Sequence, residues 1–587
     1  MMRHISKYLI TLGKGLAGLF KILGILFIIC GVGLFIIKQY KYSHIDIPDN
    51  SYLVIDFSDD FSETLTDNLI DEFMERPQMK LKKLIDCITI ASTDKRIKGI
   101  IARIDQSSLG FAQIQDVARA IILFKEQGKD TIVYSQSFGS LARGNKEYYL
   151  ATFFDKIYMQ PLATIGITGI DIEIPFAQTA LNKLGIEAEF YTRYEYKTAM
   201  QSFTDKHISP AFKENMTGLG LSLMTSLKEG IEKNRNIKNL DDIINRAPIF
   251  TEEGKKLNLI DDTMYLSDLE KLLRDNNIKS YVSVHDYATQ IKPYTGNYPV
   301  VAYITLDGVI DTGKTITNVN GETTVGSQSV LSDINEIEDI ENLKAVIVRI
   351  NSPGGSYYAS DDIYHALQNL KQKKSVPIII SQSSYAASGG YYISLAGDYI
   401  LAEPTTITGS IGVLGGKFVL SEMWKKLGVN WTSIKFGENS DMLSINQKFT
   451  ASEEKIFNKS LDMIYNDFIK KVIQNRKLSK NINEIAKGRV WTGQQALSLG
   501  LIDAVGGYNE ALALAQKMGN IEPQSKIKIK EFPKNKSFSE KLSDFFFKGN
   551  VQMELNKLMK SSVNIQYLNL FKRLKYDTVL TPFNVNM

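Results

Sequence analysis

The chain has little cysteine and little histidine. Only Cys30 and Cys87 occur in 587 residues, and their spacing fits neither a metal site nor a disulfide framework. Cys30 lies in an apolar run and Cys87 in a helical pattern, so both read as buried, inert thiols. Histidines stand at 4, 44, 207, 285 and 365, and none follows His365. No metal or nucleotide motif is present, so no cofactor is expected. The net charge of +4 on this length is too small to point to nucleic acid.

At 44% apolar and 23% charged residues, the chain has ordinary globular composition and room for more than one domain. Near the start, Ile22 to Ile37 is free of charge and flanked by Lys21 and Lys38. Leu19 and Phe20 lengthen this run and the lysines can snorkel, which predicts a single membrane helix over about residues 19–38. No small-residue cleavage site follows Ile37, where the chain continues Lys-Gln-Tyr-Lys-Tyr. An uncleaved anchor is therefore expected rather than a signal peptide. Arg3, Lys7, Lys14 and Lys21 precede the run, which puts the N-terminus in the cytoplasm and the bulk of the chain across the membrane.

Beyond the anchor, strands are expected at Ser51–Phe57, Lys98–Ile104 and Thr131–Ser135, separated by helical patterns such as Gln113–Lys125. That alternation predicts an α/β architecture with largely parallel pairing. The same order begins again at Val300–Leu306, Ala345–Ile350 and Ile378–Ser381. Local matches trace the repeat: Gly99–Asp105 with Ala345–Asn351, Ser135–Ser137 with Ser381–Ser383, Leu184–Glu187 with Leu427–Asn430, and Leu257–Asp261 with Leu499–Asp503. Two related halves follow, joined near Pro293 to Pro299. The expected division is 1–45 for the N-terminus and anchor, 46–292 and 293–535 for the halves, and 536–587 for a C-terminal extension.

The halves differ where chemistry would sit. In the second, Asn351-Ser-Pro-Gly-Gly-Ser356 is a glycine turn that lets backbone approach closely, and Tyr385-Ala-Ala-Ser-Gly-Gly-Tyr-Tyr392 places Ser388 at the start of an apolar helix. A serine there, with backbone N–H groups from two segments, supplies a nucleophile and oxyanion donors for acyl transfer. Aligning Tyr148-Tyr149 with Tyr391-Tyr392 sets Asn145 opposite Ser388 and Gln106–Gly110 opposite the glycine turn. Conversely, Lys197 of the first half falls opposite Ser440. Two incomplete sites that complement one another suggest one site built from both halves. Histidine is the usual base for serine, and the nearest in sequence is His365. It lies in the helical run Asp361–Gln372, on no obvious shared face with Ser388. A desolvated lysine can take the same role as a free amine.

The motifs Asn351–Ser356, Tyr385–Tyr392, Thr408-Gly-Ser-Ile-Gly-Val413, Tyr194-Glu-Tyr-Lys-Thr-Ala199 and Arg489-Val-Trp-Thr-Gly493 occur in an order that resembles the signal peptide peptidase A family, also called protease IV, in its double-length form. The resemblance covers roughly residues 45–535. It implies tandem ClpP/crotonase-like domains of repeated β-β-α units and a membrane-anchored Ser–Lys endopeptidase that degrades remnant signal peptides and other extended apolar peptides. It assigns Ser388 as nucleophile, Lys197 as general base and Ser410 as the serine that orients the lysine. Gly355 and Gly389 match the oxyanion positions, with Gly354 the alternative to Gly355. A homotetramer in the bacterial inner membrane, with the catalytic halves on the periplasmic side, is the implied setting.

Two other readings share this fold. A catalytically silent, membrane-tethered scaffold would have no use for the whole constellation. Crotonase-type acyl-CoA chemistry would call for a catalytic carboxylate near the glycine turns and a soluble chain. Beyond Pro533, Phe545-Phe-Phe547, the helical run Val551–Lys560 and the basic residues Lys572, Arg573 and Lys575 fit either a membrane-surface element or an amphipathic helix closing the second half.

Overall fold

Buried β-branched strands separated by amphipathic helices assemble into two main sheets, the first parallel and the second parallel but for the edge strand Val490–Thr492, which runs antiparallel to Ile407–Gly409. The computed structural model describes residues 47–65, 78–141, 143–278, 280–292, 294, 296–317, 322–523, 525–534 and 578–579. The expected membrane helix, Cys30 and the expected elements at 545–575 lie outside the described residues. Among the described residues no helix is long and apolar enough to cross a membrane.

In the first sheet the strands run Asp262–Thr263, Lys156–Met159, Asp130–Ser135, Ile97–Arg103, Ser51–Asp56, Ser280–Ser283, every neighbouring pair parallel. The second repeats that order with Ala504–Val505, Tyr399–Ala402, Ile378–Ala387, Leu343–Ser352, Val300–Asp307 and Lys528–Phe532, again parallel. The repeat extends to single hydrogen bonds. Tyr148 Oη donates to the Leu259 carbonyl at 2.7 Å and Tyr391 Oη to that of Leu501 at 2.9 Å. Asp261 accepts from the Ile157 N–H at 2.8 Å, as Asp503 does from Ile400 at 2.7 Å.

Residues two apart along a strand share a face, which decides where the second sheet packs. Val301, Tyr303, Ala345 and Ile347 join the core formed by the first half and its helices Leu81–Thr93 and Phe111–Glu126. Val300, Ala302, Val346 and Val348 face the opposite way, toward the helices Ser327–Glu338 and Tyr357–Lys374. At roughly 1.5–3 kcal/mol for each large apolar side chain buried, the shared core joins the halves firmly. Cys87, on the helix Leu81–Thr93, is fully enclosed in it, as its helical pattern suggests.

The strand expected to end at Ser381 continues to Ala387. Its first part pairs with Tyr399–Ala402 and its last part with Ile407–Gly409. The exchange of partners carries it six residues further, to the edge of Ser388.

Candidate active site

Ser388 follows directly on the strand Ile378–Ala387 and caps the short helix Gly389–Ser394. Its backbone has φ 56° and ψ −112°, a region a non-glycine residue occupies at a cost of about 1–3 kcal/mol. The conformation is held by bonds on both sides: Ser388 N–H donates to the Gly409 carbonyl at 2.8 Å, and Tyr392 N–H to the Ser388 carbonyl at 2.8 Å. Further along, Tyr392 Oη lies 2.7 Å from Asp361 Oδ1 and 2.6 Å from Asp467 Oδ2, its one proton serving either carboxylate, which ties the helix to its neighbours.

Lys197 arrives from the first half. The strand Glu187–Arg193 pairs antiparallel with Val413–Val419 over seven residues, Arg193 opposite Val413. This cross-half ribbon delivers the next residues of the first half to the end of the strand that bears Ser388. The Lys197 Nζ lies 2.9 Å from Ser388 Oγ, 2.9 Å from Ser410 Oγ and 3.1 Å from the Ser410 carbonyl oxygen. All three side chains are buried. Burial alone drives the Lys197 ammonium well below its ordinary pKa, because a desolvated cation with no carboxylate to offset it favours the neutral form. A neutral amine hydrogen-bonded to a hydroxyl can accept its proton.

The glycine turn completes the pocket. A Cβ on Gly389 would lie 3.2 Å from Gly355 N, so the two segments are in contact. One on Gly355 would lie 1.9 Å from the Ile310 carbonyl oxygen, so only glycine fits. The Gly354 N–H is taken by Ser352 Oγ at 3.2 Å. Ile310 pairs in parallel with Gly355 and donates its N–H to the Gly354 carbonyl. In that pattern the bonds go to the residues on either side of Gly355, so its own N–H faces the outer edge of the strand Gly355–Ser356. Along that edge Thr578–Val579 pairs antiparallel with it, an arrangement for which the sequence offered no signal.

The structure thus brings together Ser388, Lys197, Ser410, Gly355 and Gly389. It leaves His365 exposed on the helix Tyr357–Lys374. The complementary positions are closed. Asn145 donates from Nδ2 to the Gly169 carbonyl at 2.8 Å and accepts from the Gly169 N–H at 3.2 Å. Lys146 caps the carbonyls of Ser107 and Leu109 at 2.8 and 3.0 Å. Ser440 sits in an exposed turn.

Sequence reasoning missed a buried ionic cluster between the halves. Arg349 continues the alternation of Ala345 and Ile347 toward the first half and meets Glu63 and Asp116, each at 2.9 Å from Nη2. Burial acts to raise the Glu63 carboxyl and the guanidinium overrides it, so its net shift is downward. Asp116 remains raised, because there burial outweighs Arg349. A charged residue in phase with buried apolar ones was the available signal.

Two sheets that share a parallel order of six strands, with a buried serine at the end of a strand of the second and a lysine supplied by the first half, define a tandem α/β architecture with one candidate acyl-transfer site built from both halves. The family model for peptidase family S49 matches residues 123–279 and 370–522, and that for Clp protease matches 308–406. "Serine protease SPPA, chloroplastic" of Arabidopsis thaliana is 30% identical over 486 residues, covering 80% of this chain and 70% of that one. "Protease 4" of Haemophilus influenzae is 29% identical over 459 residues, covering 74% and 72%. "Putative signal peptide peptidase SppA" of Enterococcus faecium is 33% identical over 232 residues, covering 39% of this chain and 67% of that one. The chain belongs to peptidase family S49, with two tandem domains of that family, and is of the serine-protease class.

Proposed function

We propose that this protein is a membrane-anchored endopeptidase with a Ser–Lys dyad, degrading cleaved signal peptides and other extended apolar peptides. The observation that carries the reading is the buried Lys197 Nζ at 2.9 Å from both Ser388 Oγ and Ser410 Oγ, with burial alone shifting its pKa downward. Lys197 as free amine removes the Ser388 proton while Oγ attacks the scissile carbonyl. Charge developing on the carbonyl oxygen is met by the N–H groups of Gly355 and Gly389. The ammonium so formed gives its proton to the leaving amine as the C–N bond breaks. Lys197 then activates water against the acyl-enzyme, and the Ser388 hydroxyl is restored. Ser410 fixes the direction of the amine by its hydroxyl and carbonyl.

The edge of Gly355–Ser356 takes the antiparallel strand Thr578–Val579, which supports extended peptides as substrates that bind by strand addition in its place. The name of the Enterococcus relative supports signal peptides among them. The apolar run at 22–37 supports an inner-membrane anchor with the catalytic halves on the periplasmic side. For a homotetramer, support comes from the segment 427–436, where Leu427, Trp431, Ile434 and Phe436 are exposed, Phe436 at 94%. By the alignment of Leu184–Glu187 with Leu427–Asn430, this segment is the second half's counterpart of the strand Glu187–Arg193, which in the first half is covered by its pairing with Val413–Val419. A second copy would cover it head to tail.

The test is hydrolysis of an apolar fluorogenic peptide by the full chain. Ser388→Ala and Lys197→Met should each abolish turnover, and Lys197→Arg should fail with them because a guanidinium does not deprotonate near neutral pH. Turnover surviving Ser388→Ala in a folded sample refutes the nucleophile, and turnover surviving Lys197→Met refutes the base.

A further inference from the structure

Lys197 reaches the serine from another half of the molecule, so something must hold its backbone in place. The cross-half ribbon ends at Arg193, four residues short of it. Beyond that point the contacts come from a loop of the second half, Lys487-Gly488-Arg489. Tyr196 N–H donates to the Lys487 carbonyl at 3.2 Å, Gly488 N–H to the Ile411 carbonyl at 2.7 Å, and Ser410 N–H to the Arg489 carbonyl at 2.7 Å. Three consecutive residues therefore bond the lysine segment on one side and the Ser410 loop on the other.

The fit at the centre is tight. Gly488 has φ +93°, and a Cβ built on it would lie 2.4 Å from Lys197 N and 2.6 Å from both its Cα and its Cβ. The ends of the loop are anchored by side chains. Lys487 pairs with Glu195 at 2.9 Å. The Arg489 guanidinium lies 3.5 Å from the Tyr196 ring centre, bonds its hydroxyl and pairs with Glu214 at 2.8 Å. Tyr196 Oη in turn donates to Glu214 at 2.8 Å.

We infer that Lys487–Arg489 is a positioning strap for the catalytic lysine, with Gly488 as the residue that sets its distance from Ser388 and Arg489 as the clamp on the preceding Tyr196. The inference rests on the Ser–Lys reading above. The strap bonds the backbones of Tyr196 and Ser410 and packs on that of Lys197, and none of its atoms is a hydrogen-bond partner of Lys197 Nζ or Ser388 Oγ. Its effect runs through Lys197, whose side chain must meet two hydroxyls at once.

An alanine at 488 must part the strap and Lys197 by about 1 Å to regain ordinary contact distances. The bonds of Gly488 and Arg489 to the Ser410 loop oppose movement of the strap, which leaves Lys197 to give way. A displacement of that size costs on the order of 100-fold in rate. It also loosens the enclosure that keeps the amine neutral, so its pKa returns toward the ordinary lysine value. In Gly488→Ala the charged groups around the lysine segment, Glu195, Glu214, Lys487 and Arg489, keep their pairs with one another. The change in pKa then follows the change in burial.

The experiment measures kcat, KM and the pH profile of peptide hydrolysis by the full chain for wild type, Gly488→Ala and Arg489→Leu, with Ser388→Ala as control. The rate at which a fluorophosphonate labels Ser388 is followed across the same pH range. Gly488→Ala should lower kcat about 100-fold with KM little changed, move the rising limb of both profiles to higher pH, and slow labelling in proportion. Arg489→Leu, which leaves the glycine in place, should move the same limb in the same direction by less. Wild-type kcat in folded Gly488→Ala, or a loss of activity with the limb unmoved, overturns the strap. If Gly488→Ala does not fold, Arg489→Leu combined with Glu214→Gln, which removes both charges of the pair, decides by the same shift of the limb and fall in kcat. Absence of wild-type turnover, or its persistence in Ser388→Ala, refutes the dyad itself, and the strap falls with it.

Discussion

Arg349→Met is the substitution whose consequence the structure specifies most fully. The guanidinium gives Glu63 two bonds, from Nε at 3.2 Å and Nη2 at 2.9 Å, and gives Ser381 one from Nη1 at 2.9 Å. Asp116 Oδ2 lies 2.9 Å from Nη2 as an ion contact without hydrogen-bond alignment. None of the three charged side chains is more than 2% exposed. Methionine fills much of the volume but strands two carboxylates between the halves. Removing one partner of a buried pair costs about 3–5 kcal/mol, and a cation serving two anions belongs at the upper end. The stranded carboxylates escape part of that cost by taking up protons, so in the variant their folded pKa values rise above the unfolded ones. The folded variant then holds a proton that the unfolded chain releases, and its stability falls as pH rises. For one proton the difference between pH 6 and pH 8 is about 2.7 kcal/mol. Urea unfolding of wild type and variant at those two pH values measures it. A loss below about 1 kcal/mol, or one equal at both pH values, would refute the claim that Arg349 neutralises a closed ionic cluster.

Activity should rise from mild acid toward mild alkali and then level off, because Lys197 acts as base only when unprotonated and burial lowers its pKa; a flat profile in a steady-state assay over that range contradicts lysine as base. The same burial makes the lysine a liability to the fold, so Lys197→Met should raise the thermal midpoint at neutral pH while abolishing turnover, and a lowered midpoint would count against the desolvation account. Ser410→Ala leaves the amine its contacts with Ser388 Oγ and the Ser410 carbonyl; it should cut kcat by roughly 10–100-fold, the effect of misdirecting a reacting group, and unchanged kcat in a peptidase assay would remove Ser410 from the site.

Much of the fold was legible because burial leaves a periodic trace. Strands at Ser51, Ile97, Asp130, Val300, Leu343 and Ile378 begin within two residues of their expected positions, since each is an apolar run bounded by polar residues or turns. The repeat was readable from short matches, and its structural counterpart is the pair of bonds from Tyr148 and Tyr391 to equivalent leucine carbonyls. Ser388 stood out by its glycine neighbours. Lys197 stood out only through the gap opposite it, because nothing in its own surroundings separates it from a solvated lysine.

By itself the sequence determined which segments are buried strands and helices, their succession along the chain and the residue types available for chemistry, because these follow from local periodicity and backbone freedom. Only the tertiary structure decided what meets what. Lys197 and Ser388 are 191 residues apart in the chain yet share a hydrogen bond. Glu63 and Arg349 are 286 apart and form one ion pair, and Gly488 touches the lysine backbone from the far half. Such contacts depend on how one half is laid against the other. A buried position records only that something covers it, and the identity of the cover is fixed when the two sheets pack.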